Sequence, residues 1–160
     1  MLRKHILSDW PINSAPRTGE KEIAAIATVW ITSEACDTPI DYAFDNRRGP
    51  GGSRWVAAEP GEQQCILAFD RPQSLRTITV EVEEPEVSRT QELQVAVSTD
   101  GGQTFQDLRR QEYTFSPPGT TFEREEWAVS VEGVTHLQIV IIPDKGGKSC
   151  RATLTTLALR

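Results

Sequence analysis

The chain has 160 residues, 38% hydrophobic and 25% charged, with 11 Gly and 10 Pro. This is the composition of one globular domain and excludes a fibrous or disordered chain. The formal net charge of −6 is divided unevenly: residues 1–80 hold 9 basic and 10 acidic side chains, residues 81–160 hold 8 and 13. Such a surface repels nucleic acid and anionic lipid unless the arginines are gathered locally, so neither partner is expected.

In chain order, Met1 to Pro11 begins with basic residues, but Asp9 and Pro11 cut the apolar stretch short of a secretion signal. A cytoplasmic location is therefore expected, with Cys36, Cys65 and Cys150 as reduced thiols. Residues 1–22 show little pattern beyond Ile6, Leu7 and Trp10 and read as an arm or an added edge strand ahead of a single domain over 23–160. A first strand is expected over Ile23–Ser33. Pro39–Asp45 reads as a helical turn, with proline at an N1-like position and Ala43 and Phe44 turned inward. Asn46 to Arg54 is a glycine-rich loop with three arginines, ending at Trp55.

From residue 64 onward, short alternating segments rich in Val, Ile and Thr are broken by Gly, Pro and charge clusters. Strands are expected at Cys65–Phe69, Thr77–Glu83, Leu93–Val97, Phe105–Tyr113, Trp127–Val131, Leu137–Ile142 and Leu154–Leu159. In Thr77–Glu83, Ile78, Val80 and Val82 share one face and Glu81 and Glu83 the other, which reads as core side and solvent side. Asp100-Gly101-Gly102 has the composition of a turn with positive φ. The sum is an all-β chain: a β-sandwich or jelly roll of about eight antiparallel strands over one core.

Catalytic chemistry is not indicated. There is no Gly-x-Ser-x-Gly elbow, and His5 and His136 are the only imidazoles, far apart and without zinc spacing. Gly146-Gly147-Lys148-Ser149 lacks the first glycine of a phosphate loop, since Ile142 stands there, and a strand pattern follows instead of a helix. The carboxylates Glu81, Glu83, Glu84 and Glu86 read as a solvated acidic face rather than two carboxyls opposed across a cleft. The longest aliphatic run, Ile139 to Ile142, is far below the roughly 20 apolar residues of a spanning helix.

Taken in order, Ser33-Glu34, Pro39–Asp45, Ser53-Arg54-Trp55, Gln91–Gly101 with its Val97-Ser98-x-Asp100-Gly101 hairpin, Trp127 and Leu137-Gln138-Ile139 resemble the discoidin, or coagulation factor 5/8 type C, family over roughly residues 27–159. The resemblance implies the galactose-binding-like jelly roll and a non-enzymatic binding module whose ligand, a sugar, a phospholipid head group, collagen or another protein, sits among loops at one end; with the arginine-aromatic loop at 45–55, a carbohydrate is the leading expectation. The alternative within the same fold is a protein-interaction scaffold. In carbohydrate-binding members a metal-liganding glutamate often stands on the final strand, where this chain has Thr156. Calcium is thus the one candidate cofactor, on a weakened pattern with Asp45 and Ser53 as its remaining ligands. No apolar residue stands at the tip of the basic loop, so membrane insertion is not expected.

The ligand is expected at the 45–55 loop, where Arg47, Arg48, Arg54 and Trp55 combine planar hydrogen-bonding forks with an aromatic face. Arg54 has Glu59 and Glu62 as competing partners, and Trp55 has the core as a competing location. Arg89 and Arg124 are further candidates from other loops. The jelly roll also allows the first and last strands to run side by side, which would bring Cys36 and Cys150 within reach of a disulfide.

Overall fold

The structure, a computed structural model, describes residues 19–160. Most of the segment expected to be an arm or edge strand, residues 1–18, lies outside the described residues. A short helix α1 (Ile23–Ile26) leads into β1 (Ala27–Ile31), a 3-10 turn at Ile40–Ala43, then β2 (Trp55–Pro60), β3 (Gln63–Glu83), β4 (Arg89–Ser98), β5 (Gln106–Phe115), β6 (Phe122–Ile142), β7 (Arg151–Leu154) and β8 (Thr156–Leu159). The chain is all-β with antiparallel ladders throughout, as its alternation predicts.

Two of the strands organise the rest. The first part of β3 pairs with β1 on one side, Ala27 opposite Phe69 and Ile31 opposite Cys65, and with the end of β6 on the other. Its second part pairs with the beginning of β6 and with β8, Ile78 opposite Leu159 and Glu81 opposite Thr156. Between Ala68 and Thr77 the register shifts repeatedly, so both long strands bend there and pass from one layer to the other. Cys65, Leu67 and Phe69 from the first part, and Ile78, Val80 and Val82 from the second, all belong to one buried cluster. The sheet therefore closes over its own core as a sandwich, in which β4 and β5 extend one layer and β2 and β7 form a small separate ladder.

Four local expectations change. Residues 23–26 form a helical turn rather than the start of the strand, because the ladder that β3 offers β1 runs only from Cys65 to Phe69. Segments expected as separate strands fuse into β3 and β6, and the final one splits into β7 and β8 at Thr155. Strand β2 was not foreseen: Trp-Val-Ala-Ala-Glu-Pro has little β-branched alternation and takes its extended form from pairing with β7. Glu81 and Glu83 do not face solvent. They are 3% and 8% exposed, because the loop between the 3-10 turn and β2 lies across that side of β3.

The 3-10 turn forms where expected, with Ile40 and Ala43 buried, Pro39 at the cap, and the Ile40 N–H donating to Glu34 Oε2 at 2.8 Å. All three cysteines are free: Cys36 exposed, Cys150 half-buried and Cys65 buried, which pushes its thiol pKa up to about 12. Strands β1 and β8 pair with different parts of β3 and not with each other, so the arrangement that would favour a Cys36–Cys150 bond does not form.

The β4–β5 turn is built around Asp100. Its carboxylate accepts the Ser98 hydroxyl at 2.7 Å, the Thr104 N–H at 2.9 Å, the Thr104 hydroxyl at 2.5 Å and the Gln103 N–H at 3.1 Å, while Gly101 and Gly102 take φ of 79° and 85°. These donors, Thr104 and Ser98 first, hold the Asp100 carboxyl well below its ordinary pKa of 3.8. A depressed folded pKa contributes stability that is fully present above the unfolded value and is lost as pH falls through the folded one. Thermal denaturation across pH should show Asp100→Asn destabilised at neutral pH, with its gap from wild type narrowing once the pH drops below about 4.

Candidate binding site

At the end of the sandwich where β3 finishes and β4 begins, the loops 45–54, 84–88 and 143–150 surround a cleft of about 290 Å³. Arg54 stands on one wall, Glu83, Glu84, Glu86 and Arg89 on a second, and Ser149, Cys150 and Arg151 on a third, with Val56 and Val87 as apolar lining. The volume lies at the lower edge of the roughly 300–1,000 Å³ typical of small-molecule sites.

The arginines expected to bind ligand are brought to this end but are largely neutralised there. Arg89, with a side chain 2% exposed, pairs with Glu84 at 2.9 Å and donates to the carbonyl oxygens of Pro143 at 3.2 Å and Arg151 at 2.6 Å. It therefore ties the starts of β4 and β7 to the end of β6 and acts as a structural staple. Arg48 is enclosed and pairs with Glu20, fixing the loop to the segment before α1. Arg124 pairs with Glu81 at 3.6 Å and Glu126 at 3.2 Å, and lines a different, smaller hollow with Thr77, Thr79 and Arg160. Arg54 lies 4.0 Å from Glu83, not beside Glu59 or Glu62, and its side chain stays 28% exposed. Arg47 is exposed, and its guanidinium makes no ion pair with a described residue.

Trp55 offers no aromatic face to a ligand. It is fully buried, its indole Nε1–H donates to the Ser33 carbonyl at 3.1 Å, and its own carbonyl accepts the Thr153 hydroxyl at 3.0 Å. Trp127, 8% exposed, is also core. Of the large apolar side chains described, Trp30 is the most exposed, at 64%, on the edge strand β1. Asp45 Oδ1 accepts the Arg47 N–H at 2.9 Å and Oδ2 the Ser53 hydroxyl at 2.5 Å, while Thr156 donates its hydroxyl proton to Glu81 Oε2 at 2.9 Å. Among the described residues no group of three or more His, Cys, Asp and Glu side chains is arranged to hold a metal ion.

Sequence reasoning places Ser149 in a candidate loop, Asp144–Ser149, but misses Glu83, Glu86 and Arg151 as parts of this site. Glu83 carries no local signal, because the glycine N–H groups that meet it come from a loop 32 residues earlier. Arg151 carries no local motif and reaches the cleft only through the β2–β7 ladder.

No protein-family model and no curated protein sequence matches the chain. Solved structures do resemble it in shape. CBM32-3 from a family 31 glycoside hydrolase of Clostridium perfringens superposes with a TM-score of 0.61 at 13% identity, over 88% of this chain and 93% of that one. The family 32 carbohydrate-binding module of C. perfringens NanJ, solved with galactose, gives 0.60 at 13% over 88% and 96%. CBM32-5 of CpGH89 from C. perfringens, solved with GalNAc-β-1,3-galactose, gives 0.59 at 17% over 88% and 99%. At these identities the likeness establishes the fold, a galactose-binding-like sandwich.

The pairing pattern separates structural from available arginines. Arg89→Ala, which strands the buried Glu84 carboxylate, should lower stability by about 3–5 kcal/mol in denaturant titration, whereas Arg47→Ala should change it by less than about 0.5 kcal/mol.

Proposed function

We propose that this protein is a non-catalytic carbohydrate-binding module of the discoidin-like type that holds a neutral saccharide in the cleft between loops 45–54, 84–88 and 143–150. The observation that carries the reading is the charge balance of the cleft: Arg54, Arg89 and Arg151 stand against Glu83, Glu84 and Glu86. A sugar's vicinal hydroxyls each donate and accept. A wall that alternates guanidinium donors with carboxylate accepts both roles, while a net-neutral site gives no premium to an anionic ligand. The exposed Glu86, Ser149 and Arg151, with Arg54, whose contact to Glu83 is a long 4.0 Å and whose side chain stays 28% exposed, are the groups able to make such bonds, and Val56 and Val87 offer apolar contact to a ring face. The likeness to modules solved with galactose and with GalNAc-β-1,3-galactose supports the same class of ligand.

The alternative reading as a protein-interaction scaffold loses one of its supports, the acidic Glu81–Glu86 edge, because Glu81, Glu83 and Glu84 are buried.

Calorimetric titration against a panel of neutral and acidic oligosaccharides should show binding of a neutral galactose-type sugar, weakened about tenfold or more by Arg54→Ala, a loss of about 1.4 kcal/mol. Bound sugar should also slow alkylation of Cys150, which lines the cleft, and leave the exposed Cys36 as reactive as before. Binding confined to acidic sugars, or an Arg54→Ala variant with unchanged affinity, would contradict the reading.

A further inference from the structure

We propose that the loop from 46 to 54 is organised by an internal anionic clamp, Glu81 and Glu83, in the place that a bound cation would take, so that the cleft it borders is built without divalent metal. The proposal rests on the saccharide reading only in what it implies for binding; the clamp stands by itself.

The two carboxylates are two residues apart on β3 and so share a face, the face covered by the loop. Glu81 Oε2 accepts the Gly49 N–H at 3.1 Å and the Thr156 hydroxyl at 2.9 Å, while Arg124 stands 3.6 Å from Oε1. Glu83 takes the Gly51 N–H on both oxygens at 3.0 Å, with Arg54 4.0 Å away. Gly49 and Gly51 have φ of 85° and 79°, which turns their N–H groups toward the strand. A Cβ at either would meet nothing within 4 Å, so the demand for glycine comes from the backbone angle and not from space.

This arrangement is the inverse of a calcium loop. A hard cation gathers six or more oxygen lone pairs and repels nearby positive charge. Here three of the four carboxylate oxygens accept N–H or O–H donors, the fourth, Glu81 Oε1, faces the Arg124 guanidinium at 3.6 Å, and Arg54 stands 4.0 Å from Glu83. The Asp45 oxygens are likewise taken by Arg47 N–H and the Ser53 hydroxyl. Thr156, at the position where the resemblance places a metal-liganding glutamate, is itself a donor to Glu81. The donor set therefore does not fit calcium, and the loop's order comes from charge-assisted hydrogen bonds to buried anions.

Trypsin reads the loop directly, since the bonds after Arg47, Arg48 and Arg54 lie within it. In wild type, cleavage at these bonds should be slow and should proceed at the same rate in excess calcium chloride and in excess EDTA, with an unchanged melting temperature. Glu83→Gln and Glu81→Gln, which keep an acceptor but remove the charge, should each speed cleavage there about tenfold or more while far-UV circular dichroism stays native. Calcium that slows cleavage or raises the melting temperature of wild type would overturn the proposal, and this arm decides even where a variant fails to fold. Both variants folding with a loop as resistant as wild type would overturn it too. Failure of the saccharide titration alone would leave the clamp standing, which keeps the two claims separable.

Discussion

The site end of this sandwich depends on the burial of three carboxylates at the close of β3. Glu81, Glu83 and Glu84 are all under a tenth exposed, and an ionised carboxylate in such a place is tolerated only when its oxygens are met by donors or cations. Their partners come from several parts of the chain: Glu81 is met by Gly49, Thr156 and Arg124, Glu83 by Gly51 and Arg54, Glu84 by Arg89. Through these partners one short stretch of strand fixes the 46–54 loop, β8, the start of β6 and the start of β4. Two of the cleft's walls are positioned by the same requirement, and the third is tied to them where Arg89, paired with Glu84, donates to the Arg151 carbonyl at 2.6 Å.

That requirement also explains the electrostatics. The second half of the chain carries most of the negative charge and the 45–55 loop three arginines, and the fold brings the two together. The result is a cleft whose charges are balanced, which offers donors and acceptors in alternation and suits a polyhydroxylated neutral ligand better than an anion. Arg48, Arg89 and Arg124 are committed to holding the frame, so under the proposed function recognition falls on Arg54, Glu86, Ser149 and Arg151.

Much of the fold was legible because strand alternation and turn chemistry are local. The inward row Ile78, Val80 and Val82, the Asp100 turn and the 3-10 turn at Ile40–Ala43 all follow from neighbouring residues alone. The opposite row was misread, because alternation says that Glu81 and Glu83 share a face but not what covers it. The covering loop lies thirty residues earlier and carries no hydrophobic residue to announce its role. Trp55 has two readings in sequence, a stacking platform beside the loop arginines or a core residue, and the core reading holds because the Ser33 carbonyl and the β2–β7 ladder draw it inward.

Under the proposed function, ligand recognition is confined to the end held by these carboxylates. Strand β4 carries the chain ten residues from that end to the Asp100 turn, about 30 Å at 3.3 Å per residue, so the two ends are well resolved by amide nuclear magnetic resonance. Titration of the labelled protein with a galactose-type disaccharide should shift the amides of Gly51, Arg54, Val87, Ser149 and Arg151 and leave those of Gly101 and Thr104 unmoved. Shifts clustered at the Asp100 turn or around Trp30, with the cleft amides silent, would contradict the account.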